Sequence, residues 1–292
     1  MNPKAVSDQT EAAFFEPLKT HNAAAEKTMF KKQIRIFLIF ASLLQLASCA
    51  LMQASPVVDV TETSNPAIIQ NQYPDFPLLK QDLLASAKAP APQSWSQHLL
   101  PGKEATQYTA QRLDGRNTVM AKSNSSASML RQSLHVASAD LGQLGFSWKL
   151  PGLISGADLT QRDAHDSPVR VVMMFEGDRT SFSMKNAMLS ELAMALTGEP
   201  LPYATLSYVW CNSCASNSVI INPRIDRFRE IVLESGPENL GQWRDYKRDI
   251  HADFQRAFGE APGALLGIAL MTDTDNTRQK AQAWYGPISM TP

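Results

Sequence analysis

From residue 95 onward, apolar and polar positions alternate with a period of two in short runs, the pattern of strands with one buried face. Runs at 106–113 and 118–122 flank Asp114-Gly115, a dipeptide suited to a tight hairpin turn because glycine accepts positive φ. Half-buried strands are also predicted at 128–136 and 144–150. Residues 169–175 (VRVVMMF) are nearly continuous in apolar side chains, as in a central strand covered on both faces. Runs at 204–210, 229–233, 265–272 and 281–289 bring the total to about nine strands. Two stretches change period. In 185–196, Met188, Leu189, Leu192, Ala193 and Leu196 recur at helical spacing and Gly198 follows as a stop. In 244–258, Tyr246, Ile250, Phe254 and Phe258 line one helical face while Lys247, Arg248 and Asp249 point to water. Many short strands without βαβ alternation predict a mainly β domain over 94–292, a jelly-roll-like β-sandwich with two helical insertions.

The first 93 residues do not share this pattern. Residues 1–28 are mixed and polar with no core periodicity, and read as a removable or non-native extension before a start at Met29. Lys31, Lys32 and Arg35 then precede an apolar run at 36–44, too short to span a bilayer, which ends in Leu46-Ala47-Ser48-Cys49. This is a lipobox. It predicts a lipoprotein signal peptide at 29–48, cleavage before Cys49 and lipid on that thiol. Acyl chains contribute about 0.8 kcal/mol per buried methylene, so several chains anchor a domain without a transmembrane helix. Ala50 rather than Asp after the cysteine resembles lipoproteins sent to the outer membrane, so the expected location is the bacterial cell envelope, on the periplasmic side of the outer membrane. Residues 49–93, with six prolines among Ser, Thr, Asn and Gln, read as a flexible tether, with one docking helix expected at 74–85. Lipidation of Cys49 leaves Cys211 and Cys214, which in an oxidising compartment predict a small structural disulfide. No helix start follows them, which disfavours a redox motif.

Charge narrows the function. The 27 Lys+Arg and 28 Asp+Glu nearly cancel, and discounting residues 1–48 leaves a slightly acidic domain, so no nucleic-acid partner is expected. The chain lacks a Gly-x-Ser-x-Gly elbow, a His-Glu-x-x-His pair and a phosphate-binding glycine loop, and His98, His135, His165 and His251 are scattered. Three polar clusters remain: 156–166 running into Arg170, 243–249, and 272–277. In the last, Asp273, Asp275 and Asn276 either hold a hard cation such as Ca²⁺ or a sugar hydroxyl, or form an Asx-rich turn bonded to local backbone. In 243–249, like charges at i, i+4 need partners elsewhere, which suggests Arg248 reaching a carboxylate of another cluster. Trp148, Tyr208, Trp210, Trp243, Trp284 and Tyr285 lie in or beside strands; Trp210 and Trp284 are the candidate stacking surfaces, and core burial is the default for the set.

Five segments occur in order: 157–163 (ADLTQRD), 202–210 (PYATLSYVW), 232–236 (VLESG), 241–244 (GQWR) and 271–277 (MTDTDNT). Together they resemble a bacterial family known as domain of unknown function 3047, over roughly 95–290. The resemblance implies no activity or catalytic residue. Pro287 stands after Tyr285-Gly286 where the family pattern implies an acidic residue. The apolar strand, Asp/Asn loop and aromatic strand at the end also resemble the last hairpin of galactose-binding-like sandwiches. The expected function is that of an envelope lipoprotein binding a carbohydrate or other polar ligand through Asp273, Asp275, Asn276, Trp210, Trp284 and Arg248, with Asp273 and Asp275 as ligands if structural Ca²⁺ is present. Two alternatives stand beside it. One is a glycoside-type hydrolase using two of Glu176, Glu234 and Asp273, about 5–10 Å apart across a cleft. The other is an assembly lipoprotein that docks an envelope protein through an exposed apolar patch.

Overall fold

The computed structural model describes residues 94–291. The signal at 29–48, Cys49, the tether and the 74–85 segment lie outside the described residues. Thirteen strands form two sheets. The first is ordered β1 (Ser96–Leu99), β4 (Ser128–Val136), β11 (Leu265–Met271), β6 (Arg170–Phe175), β7 (Ala204–Cys211), β9 (Phe228–Ser235), β8 (Val219–Ile221). The second is ordered β10 (Arg244–Asp249), β5 (Gln143–Lys149), β12 (Lys280–Tyr285), β3 (Arg116–Asn124), β2 (Gln107–Leu113), with β13 (Ser289–Thr291) also paired to β5. Every pairing is antiparallel except β7 with β9, because β9 returns between β7 and β8.

Period-two alternation builds the core. Val171, Met173 and Phe175 of β6 and Leu206, Tyr208 and Trp210 of β7 point inward, opposite Leu144, Phe146 and Trp148 of β5 and Ala283 and Tyr285 of β12. The Phe146 and Tyr208 rings stack between the sheets with centroids 5.3 Å apart. Each such side chain, fully buried, contributes about 1.5–3 kcal/mol. The outer face of the first sheet is covered as well, which explains the unbroken apolar run of β6. Leu159 packs on Val209 and Val232 there, and the 176–203 segment lies over Val172 and Met174.

Three strands escape the sequence pattern: β1, β8 and β10. The predicted strand at 281–289 is two strands, broken at Gly286, where a side-chain carbon would come within 2.1 Å of Ser147 Oγ. The predicted helix at 244–258 begins later. Arg244, Tyr246 and Arg248 are half-buried while Asp245, Lys247 and Asp249 are exposed, so the charged stretch is the edge strand β10. Asp249 then caps helix α2 (Ile250–Phe258), its side chain accepting from Ala252 N at 2.9 Å.

Helix α1 (Met184–Thr197) forms where predicted, capped by Ser183 and ended by Gly198 at φ 76°. Its orientation departs from the expectation: of the five apolar residues on the expected face, only Leu189 and Ala193 are half-buried. It buries Asn186 and Ser190, whereas Met184, Met188, Leu192 and Leu196 are 83%, 67%, 53% and 59% exposed. Polar anchors set the rotation: Asn186 Nδ2 donates to Asp226 Oδ1, and Ser190 Oγ accepts from Leu201 N at 3.2 Å. Cys211 and Cys214 are joined by a disulfide in the connection from β7 to β8.

Candidate functional site

Two of the three polar clusters converge on the outer face of the first sheet. Arg170 opens β6 and Asp273 follows β11, and the two strands are neighbours with Met271 opposite Arg170. Arg170 Nε donates to Asp273 Oδ1 at 3.0 Å, and its Nη1 donates to Glu230 Oε1 on β9, across Ser207 of β7. Its Nη2 donates to the carbonyl of His165 at 3.1 Å. His165 Nε2 lies 2.7 Å from Glu230 Oε2. Arg170 and Glu230 are 1% and 0% exposed. Burial first, and then the Arg170 guanidinium, push His165 down to about 3, so its imidazole is neutral and donates through Nε2 to Glu230. Burial also holds the Asp273 carboxyl above its usual range, against the pull of Arg170.

The remaining residues extend this network to the surface. Asp166 accepts from Asn276 N and Nδ2 at 3.2 and 2.8 Å and from Thr277 N and Oγ1, both at 2.7 Å. Asn276 Oδ1 accepts from Arg224 Nη2 at 2.7 Å, and Asp275 pairs with Lys103. Asp166, Asp273 and Asp275 each place a carboxylate oxygen within 4.8 Å of the others. Arg170 and Lys103 already balance two of these charges, and amide and hydroxyl donors occupy the third. The six to eight oxygens that Ca²⁺ requires are therefore not free here, and the donor set does not fit that ion. This side-chain chemistry ties the 151–169 loop to the β11–β12 connection.

The other predicted residues lie elsewhere. Trp210 faces the core, 1% exposed, with Nε1 donating to Gly236 O at 3.0 Å, so it presents no stacking surface. Arg248 does not reach the 272–277 loop. It pairs with Asp253 at 2.8 and 2.6 Å and lies 5.8 Å above the Tyr208 ring, because β10 and α2 are consecutive. Trp284 is half-buried on the outer face of the second sheet, beside Gln282 and Lys280. The three hydrolase carboxylates are dispersed. Glu176 follows the far end of β6 from Arg170, about 20 Å away at strand rise. Glu234 turns toward β10, where it accepts from Arg244 Nε at 2.8 Å, Tyr246 OH at 2.5 Å and Asn239 Nδ2 at 2.7 Å.

Sequence reasoning missed Glu230, the acceptor at the centre of the network. A signal was available: it sits between Phe228 and Val232 on the face of β9 whose other members are apolar. It also missed a groove of about 660 Å³ on the outer face of the second sheet, lined by Gln107, Lys122, Asn124, Lys280 and Gln282 among others.

A two-sheet, jelly-roll-like sandwich with a buried Arg–Glu–Asp–His network on one outer face defines a class of scaffold. The chain itself belongs to the DUF3047 family of proteins of unknown function, whose model matches residues 93–289. No curated protein matches it in sequence. Among solved structures it is similar to the xyloglucanase domain of NopAA, a type three effector from Sinorhizobium fredii (9% identity, 69% of this chain and 96% of that one, TM-score 0.36). It is also similar to a thermo-stable form of the Cel12A cellulase of Rhodothermus marinus (10% identity, 68% and 97%, TM-score 0.36). Likeness at this level concerns the fold and bears no weight for activity.

Proposed function

We propose that the domain is a non-catalytic receptor for a hydroxyl-rich, carbohydrate-like ligand, held at the bacterial envelope by lipid on Cys49. The observation that carries this reading is the groove on the second sheet. Side-chain amides of Gln107, Asn124 and Gln282 both donate and accept, as sugar hydroxyls do, and Lys122 and Lys280 add donors. Trp284 lies two residues beyond Gln282 on the same face, about 7 Å along the strand, where an indole supports a sugar ring. The dispersed carboxylates weigh against the hydrolase reading.

A glycan array followed by calorimetry tests this. The expected result is a glycan whose affinity falls at least tenfold, about 1.4 kcal/mol, in Trp284→Ala and in Gln282→Ala. An array without hits, or a hit indifferent to both substitutions, overturns it.

One observation favours a second reading, docking of an envelope protein: the outward Met184, Met188, Leu192 and Leu196 of α1. Photo-crosslinking from position 188 in cells would trap one discrete partner if it holds, and none if it does not.

A further inference from the structure

Beneath α1, against the outer face of the first sheet, lies a partly open cavity of about 160 Å³. Its walls come from Met129, Val172 and Met271 on the sheet, and from Phe182, Leu201 and Ile225 in the covering segments. The helix explains why the space is there. α1 buries two short polar side chains, Asn186 and Ser190, which bond to Asp226 and to Leu201 N. Longer apolar side chains point away from the sheet, Met184 and Met188 being 83% and 67% exposed. The roof is anchored through polar bonds while much of its apolar surface meets water, so the sheet beneath is covered without being filled.

Almost no nitrogen or oxygen surface faces this space. Asn186 lines it, but its Nδ2 donates to the Asp226 carboxylate and its Oδ1 has almost no accessible surface. Arg227 lines it too, but its guanidinium is engaged by Tyr203 O at 3.1 Å and Glu260 Oε1 at 2.6 Å, and lies 4.0 Å over the Tyr203 ring. A polar or charged group placed here would give up water and gain no partner, which is costly. An apolar group has no such penalty, and it restores the dispersion contacts that an empty space forfeits. An engineered apolar cavity of about 150 Å³ in another protein stays dry and accommodates benzene. Met129, Met174 and Met271 add flexible, polarizable side chains to the walls, able to adjust to an aromatic ring.

From these observations we propose that the cavity under α1 binds a compact neutral hydrocarbon, the size of benzene or toluene, and selects against hydroxyl-bearing and charged analogues. This site is separate from the groove on the second sheet and does not depend on the carbohydrate reading.

The methionines supply an internal control. Met129, Met174 and Met271 line the cavity, whereas Met184, Met188 and Met194 are exposed on α1. Titrating the full chain, labelled at the methionine methyl groups, with toluene is expected to shift the first three signals saturably and leave the second three in place. Phenol has the same ring but must bury a hydroxyl without a partner, so it is expected to bind at least about fivefold more weakly. Benzoate, which carries a charge, is expected to leave every one of these signals in place. Thr205→Phe, which adds a ring at the wall, should abolish the toluene shifts. The wild-type titration decides the matter even if that variant fails to fold. Absent toluene shifts up to the solubility limit, or equal shifts of the exposed methionines, overturn the proposal, as does a phenol affinity equal to that of toluene.

Discussion

Arg170 is one of the largest fully buried side chains among the described residues. It is a cation with almost no contact with water, held by Glu230, Asp273 and a carbonyl. Removing one partner of such a set strands the others, at a cost of about 3–5 kcal/mol. Arg170→Met is therefore expected to lower unfolding free energy by that amount in urea titration, because it leaves Glu230 and Asp273 buried without their cation. His165 gives a pH prediction. The unfolded chain protonates it near 6.5 and the folded protein only near 3, so acid favours the unfolded state. Its contribution is complete above 6.5 and is lost as pH falls toward 3, at up to about 1.4 kcal/mol per pH unit. Asp273, held high by burial, acts in the opposite sense, so the comparison to make is wild type against His165→Gln. The variant should show the shallower acid slope in chemical denaturation at stepped pH. Sequence alone singled out Arg170, Asp166 and Asp273 but not their convergence, because Glu230, the acceptor between them, lies 60 positions from Arg170 on another strand.

At the scale of elements, strand periodicity was legible wherever one face met the core and the other met water. Residues 128–136 form β4 with the predicted ends. Legibility failed where neither face was plain. In β10 the inward positions are Arg244, Tyr246 and Arg248, whose long stems reach the core while their charges find Glu234 and Asp253. Tyr246, four positions before Ile250 and in phase with Phe254 and Phe258, extends the helical pattern back into the strand. Helix α1 shows the complementary failure: its period was correct and its buried face was not, because hydrogen bonds from Asn186 and Ser190 set its rotation. This orientation predicts that Met188→Gln with Leu192→Gln leaves unfolding free energy within about 0.5 kcal/mol of wild type in thermal or urea denaturation. Were the two residues in the core, the same pair would cost several kcal/mol.

At the scale of the whole molecule, the proposed lipobox lies outside the sandwich, and the proposed anchor is tested on its own. Cys49→Ser is expected to move the protein from the membrane fraction to the soluble fraction without altering its denaturation curve, which fractionation and circular dichroism would establish. The sandwich class was legible from the number of short strands and the missing βαβ order. The covered outer face of the first sheet was not. Its cover comes from three separate segments, 151–169, 176–203 and the 222–227 turn, and no local pattern says which face of a strand they will meet.

The return of β9 between β7 and β8 has a consequence for synthesis. A nascent chain emerges N-terminus first, so β6 presents Arg170 long before its counter-ions exist: Glu230 follows 60 residues later and Asp273 follows 103 residues later. Until both are made, the guanidinium must stay hydrated, and the face that carries it cannot close. Closure of that face therefore waits for β9, which carries Glu230, and for the segment after β11, which carries Asp273.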